Sequence, residues 1–316
     1  MAVLGRAEIL DYSFYLLRKN LRQYFLFSFV FSLIVMAVFI ITFILGFFVS
    51  ALGALGLERL FGNRAMVMGF AIIIGIVGLF LLALIFSEEV GIIKITAGKF
   101  YGQKVKFEKM LVYSFKSVLK VARLIFTLII LLIPFVIFVY ILYRFIFFFQ
   151  PGSFSPVFEF IIIFGATLII PFLFLCYITP FSLSLQVMIL EGKGALAACR
   201  KSWQLVKINF WGVLGFILIT LLIIIGINFS LEAFVTLLST IFYLIVLLFD
   251  VSVNYGFFYS LFSMIFFVPL AVISLLIVYN VVWIVLTVLY FNRRNNTEGF
   301  DLHRKLSRLK LNRGEE

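Results

Sequence analysis

The residues of this chain best placed to do chemistry are two adjacent glutamates, Glu88 and Glu89, in the stretch IFSEEVGIIK. A catalytic site here would have to be built from carboxylates, lysines or hydroxyls at a water boundary, and these are the tightest acidic pair. Consecutive helical side chains diverge by about 100°, so the two cannot act jointly on one bond unless the backbone is distorted. Two readings stand open: carboxylates pairing with the nearby lysines, or a gate or cation contact at the inner mouth of a bundle. Glu191, in ILEGKGAL, follows a later apolar run at the same depth. With Gly192 and Gly194 beside it, it reads as a turn followed by a helix start, where an acidic side chain is favourable.

The second cluster is hydroxylic. YITPFSLSLQ supplies Thr179, Ser182, Ser184 and Gln186 around Pro180, and Tyr279 with Asn280 adds a polar point in the last apolar run. Such groups glue helices together in a bilayer, or line a polar seam for a lipid headgroup or small solute. Pro134, Pro171, Pro180 and Pro269 fall inside apolar runs and can kink them. The single histidine, His303, lies in a polar tail, which leaves no His-based zinc site and no Ser-His-Asp triad. No phosphate-cradling glycine loop is present, and Cys176 and Cys199 match no metal or redox spacing. No catalytic residue, cofactor or metal is expected.

The elements that must position these groups are membrane helices. Of 316 residues, 65% are hydrophobic and 13% charged, too few polar groups to cover a water-soluble globule. Apolar runs of spanning length occupy roughly 24–52, 65–87, 124–147, 157–190, 210–231 and 257–291. They are continuous rather than alternating, which excludes a closed barrel. The expectation is an all-α polytopic membrane protein with six transmembrane helices, the glutamate pair closing the second. The first run sits behind a charged segment and reads as an anchor.

Charge sets the expected topology. With the N-terminus in the cytoplasm and six crossings, every Lys and Arg except Arg59, Arg64 and Arg144 falls inside. A seventh crossing by the shorter run 233–249 would push the basic tail, 292–316, outside. That run is therefore expected to be re-entrant or surface-lying. Arg144 and Glu159 flank an outer loop and can pair across it. A prokaryotic cytoplasmic membrane with both termini inside fits this layout.

A repeat organises the chain. SWQLVKIN, from Ser202 to Asn209, matches SFYLLRKN, from Ser13 to Asn20, and YSFKSVLK sets Ser114 in the same register. Each copy carries an apolar stripe at spacings 4, 3, 4: Leu10, Phe14, Leu17, Leu21; then Leu111, Phe115, Val118, Ala122; then Cys199, Trp203, Val206, Phe210. Basic residues take the other face. Arg18, Lys19, Asn20, Lys116, Lys120, Arg200, Trp203, Lys207 and Asn209 are expected to be interfacial anchors. The whole, 1–316, reads as a single membrane domain. It is three parallel repeats of amphipathic helix plus helical hairpin, about 5–88, 105–190 and 193–291. The net charge of +12 suits anionic membrane lipids rather than nucleic acid. Leu302, Leu306 and Leu309 give the tail a weak stripe that can lie on a membrane or dock a protein.

Residues 187–219 carry Glu191, Gly194, Ala195, Leu196, Arg200, Ser202, Trp203, Leu205, Val206, Lys207, Asn209, Phe210 and Trp211. This pattern resembles the membrane domain of glycerophosphoryl diester phosphodiesterases and related uncharacterised bacterial multi-spanning families. ILDYSFYLLRKNLRQYF and GIIKITAGKFYGQKVKFEKML resemble the start and the central segment of the same group. In such phosphodiesterases a soluble catalytic domain follows, whereas this sequence ends after its tail. The resemblance thus implies a membrane module, an anchor or partner for a separate protein, and transfers no hydrolase activity. The expected function is a non-enzymatic membrane scaffold or accessory subunit meeting a protein partner through its basic cytoplasmic face. The alternative is a transporter or flippase for a lipid-linked or amphipathic solute, working through the seam near Pro180 and marked by a polar cavity there.

Overall fold

The computed structural model describes residues 5–52, 63–103, 105–148, 156–248 and 254–299, and all its regular elements are helical. They are α1 (Arg6–Lys19), α2 (Leu21–Leu52), α3 (Asn63–Phe100), α4 (Phe107–Phe148), α5 (Pro156–Ile178), α6 (Ser184–Glu191), α7 (Ala195–Lys207), α8 (Phe210–Leu247), α9 (Tyr255–Phe262) and α10 (Val268–Glu298). Among the described residues six stretches are long and apolar enough to cross a bilayer, in α2, α3, α4, α5 with α6, α8, and α9 with α10. The chain is an all-α polytopic membrane protein.

Its distribution of polarity is that of a bundle solvated by lipid. Phe43, Phe47, Ile74 and Leu222 face outward, while Ser28, Ser87, Thr96, Gln186 and Asn280 are buried. Hydrocarbon solvates the first set, and the second finds partners only inside the bundle. α3 is the central element, packed against α2, α4, α6 and α10.

Three segments differ from the sequence expectation. The run 233–249 is no separate re-entrant or surface helix: residues 210–247 form one continuous helix, α8, because neither Gly, Pro nor charge between Asn228 and Leu247 is sufficient to stop it. The run 157–190 is broken. Pro180 has no N–H to give the helix, so α5 ends at Ile178, a 3₁₀ turn covers Thr179–Phe181, and α6 restarts at Ser184. Pro134 and Pro171 lie inside unbroken helices. The run 65–87 does not end at the glutamates, since α3 continues through them to Phe100. Five residues in π conformation, Ser263–Phe267, join α9 to α10.

The serines that sequence set in register, Ser13, Ser114 and Ser202, are all buried. The expected stripes pack on the core at Leu10, Phe14 and Leu17, at Leu111, Phe115, Val118 and Ala122, and at Cys199, Val206 and Phe210, and the packed face extends one residue further round. The added positions are Ile9, Ser13 and Leu16 in α1 and Ala198, Ser202 and Leu205 in α7, while Leu21 and Trp203 are left exposed. Asn20 and Asn209 mark the joints between interfacial helix and span. Asn20 Nδ2 donates to the Leu16 carbonyl at 3.0 Å, and Asn209 Oδ1 caps α8 by accepting from Gly212 N–H at 3.2 Å. The middle copy has Val121 at this register and no joint, so α4 runs straight through for 42 residues. Arg59, the side chains of Arg64 and Glu159, and the tail from Phe300 with Leu302, His303, Leu306 and Leu309 lie outside the described residues.

Candidate functional site

α3 carries Glu88 and Glu89 into the bundle instead of leaving them at its mouth. Glu88 is 9% exposed and Glu89 0%. Of the two readings made from sequence, pairing with the nearby lysines does not describe them. Lys94 lies instead over the Tyr113 ring, 4.8 Å from its centre. Among the described residues no Lys, Arg or His forms an ion pair with either glutamate.

Their divergence on the helix, which argued against joint chemistry, gives each a different side of α10. Glu88 turns toward α2, where Ser32 Oγ donates to its Oε2 at 3.5 Å. One turn away Ser28 Oγ donates to Asn280 Oδ1 at 3.0 Å, tying α2 to α10. Glu89 turns the other way. The Tyr279 hydroxyl donates to its Oε1, and its Oε2 is buried with no partner among the described residues.

Each side opens laterally. Between α2 and the outer part of α10 lies an apolar cleft of about 420 Å³, lined by Ser32, Met36, Phe267, Val272 and Leu276 among others. Between α4 and the α5–α6 break lies a second, of about 300 Å³, lined by apolar residues that include Leu124 and Leu128. Its polar lining is Glu89, Ser182, Ser184 and Trp283. Ser32 is the link between the first cleft and Glu88. The second cleft reaches Glu89 directly. α10 separates the two with Tyr279, Asn280 and Trp283.

The expected polar seam divides. Ser182 and Ser184 belong to the α4–α6 cleft. Thr179 turns back on its own helix, donating to the Leu175 carbonyl at 2.6 Å. Asn280 is satisfied by Ser28 and by donating to the Leu276 carbonyl at 2.6 Å. Gln186 is fully buried with neither amide atom partnered. An unsatisfied buried amide costs about 1–3 kcal/mol, so Gln186→Met is expected to raise the thermal midpoint of the detergent-solubilised protein. A lowered midpoint would mean that the amide has a partner in the membrane.

Glu191 does sit where α6 ends, and Gly192 follows it in the left-handed region at φ 69°. Glu191 also has a task that its sequence setting did not announce. It accepts from Tyr290 at 2.7 Å, pairs with Lys193 at 2.9 Å and lies 3.8 Å from Arg294, clamping the end of α6 to the end of α10.

The expected anchors Arg18, Lys19, Lys116, Lys120, Arg200 and Lys207 are exposed at one end of the bundle. Trp203 is half exposed and leans on Phe181, ring centres 6.1 Å apart. On α1, Lys19 donates to the Tyr15 hydroxyl at 3.0 Å, a bond that raises the lysine above its ordinary value. Burial pushes the Tyr12 phenol up, and likewise the Cys199 thiol on α7.

Sequence reasoning missed Ser28 and Ser32. Their signal was present: two hydroxyls four residues apart in LFSFVFSLI share one helical face of an otherwise apolar span. It also missed that Ser202 mends the break at Pro180, accepting from Leu183 N–H at 3.2 Å and donating to the Pro180 carbonyl at 2.6 Å. No group of three His, Cys, Asp or Glu residues suited to a metal occurs among the described residues. Comparison with protein-family models, with curated proteins and with solved structures finds no match for this chain.

Proposed function

We propose that this integral membrane protein is a transporter or flippase for an amphipathic solute, which enters sideways from the bilayer into the α4–α6 cleft. The observation that carries this reading is Glu89: a fully buried carboxylate with one unengaged oxygen, reached by a cleft open to hydrocarbon. A carboxylate so placed has no packing value and a large desolvation cost, and intramembrane ionisable groups mark solute pathways by default. The first cleft, with Glu88 behind Ser32, supports passage over static binding, since the two openings lead toward adjacent residues of α3 from either side of α10. The basic end, with α1 and α7, belongs in the cytoplasm on the Lys and Arg bias.

A second reading, the scaffold, draws on the exposed lysines and arginines of that basic end. The cleft is open rather than enclosed, and Thr179 and Gln186 do not line it, so the two readings part by experiment. In reconstituted vesicles, Leu128→Trp fills the cleft. Exchange of a fluorescent single-chain amphiphile between leaflets should then fall by about tenfold or more, while Lys116→Gln with Lys120→Gln leaves it unchanged. An unaltered rate in the cleft variant, with vesicle or partner binding lost in the lysine variant, would favour the scaffold.

A further inference from the structure

We infer that the headgroup the α4–α6 cleft takes is a cationic amine, held by Oε2 of Glu89 while its apolar tail lies against α4. This rests on the cleft being the solute's seat, as proposed above, and adds the chemical class. Glu89 is 0% exposed, and Tyr279 occupies Oε1 alone. The neighbouring side chain on α3, Glu88, is a second carboxyl group and brings no positive charge. Among the described residues no cationic side chain pairs with either. An anionic headgroup would meet like charge in a medium of low dielectric, where repulsion is strong. A headgroup without a donor would leave the buried oxygen bare.

An ammonium group meets these demands because it brings positive charge and three donors. Ser182 and Ser184 are among the residues lining the same cleft, and among the described residues the Oγ atoms of both are buried without a partner and free to accept. Trp283 completes the polar lining with a ring of the kind that attracts ammonium groups. The remaining wall, with Val121, Leu124 and Leu128, is apolar and suits an alkyl tail.

The test uses the full chain in phosphatidylcholine nanodiscs with Trp203→Phe and Trp211→Phe, which leaves Trp283 as the only tryptophan. A primary alkylamine with a brominated tail and the alcohol of equal length are titrated, each corrected for partition into protein-free discs. Saturable quenching of Trp283 by the amine is expected at a concentration at least about tenfold below that of the alcohol, and Glu89→Gln should erase the difference. Equal quenching by both compounds in the unsubstituted protein would overturn the amine while leaving the cleft as the seat. Absence of saturable quenching by either would overturn the seat itself. The amine–alcohol comparison needs no variant at Glu89, so a poorly folding substitution does not blunt it.

Discussion

Gly91→Ala is expected to destabilise the protein by about 1–3 kcal/mol, the range for forcing extra volume into a packed core. A Cβ on Gly91 would stand 2.0 Å from Cζ of Phe27 and 2.5 Å from its Cε1. The ring has nowhere to retreat. Phe27 is fully buried, stacked on Phe31 at 5.9 Å and edge-on to Phe107 at 6.3 Å, and Phe31 stacks on Phe115 at 5.0 Å. Relief would have to come from α2 moving off α3, which carries Ser28 away from Asn280 and Ser32 away from Glu88. The check is a double-mutant cycle of thermal midpoints with Phe27→Leu. Leucine alone leaves a gap, but in the Gly91→Ala background it should restore part of the loss, a coupling of about 0.5–3 kcal/mol. A fully stable Gly91→Ala protein with no coupling would contradict the seat of Phe27 on Gly91.

The second large effect is expected at Ser202. Its hydroxyl serves two backbone groups that Pro180 leaves without helical partners, the Pro180 carbonyl and Leu183 N–H. Alanine strips both, at about 1–3 kcal/mol for each buried group left bare. The same substitution at Ser13 provides the contrast. Ser13 Oγ donates only to the Ile9 carbonyl of its own helix at 2.7 Å. That is a bond of little net value, so Ser13→Ala should shift stability by less than about 1 kcal/mol. Thermal unfolding of the two variants side by side settles the matter. Equal losses would mean that Ser202 acts as a mere packing residue.

These two serines show what was legible in the sequence. Register and periodicity placed both on short amphipathic helices at span boundaries, and composition set the class and the number of crossings. What periodicity cannot report is which backbone group a side chain meets across the bundle. Ser202 acts on a break 22 residues earlier in the chain. Tyr279 reaches Glu89 across 190 positions. The glutamates were misplaced for a related reason. Carboxylates after an apolar run are ordinarily read as its end, and only their partners, Ser32 and Tyr279, identify them as interior. The run 233–249 was misread because charge bookkeeping counts crossings and is blind to one helix being longer than the bilayer is thick. At 38 residues α8 measures about 57 Å, against a hydrocarbon core of about 30 Å.

The missing joint in α4 has a mechanical consequence. α1 and α7 meet their spans at Asn20 and Asn209, so a tilt of either on the membrane surface can be absorbed at a hinge. α4 has Val121 there and runs on as one helix of 42 residues, about 63 Å at 1.5 Å per residue. A tilt at Lys116 and Lys120 is carried to Leu124 and Leu128 along the same unbroken helix. The wall of the α4–α6 cleft at Leu124 and Leu128 is thus continuous with a basic interfacial segment, whereas α1 and α7 are set off from the spans that follow them by a joint.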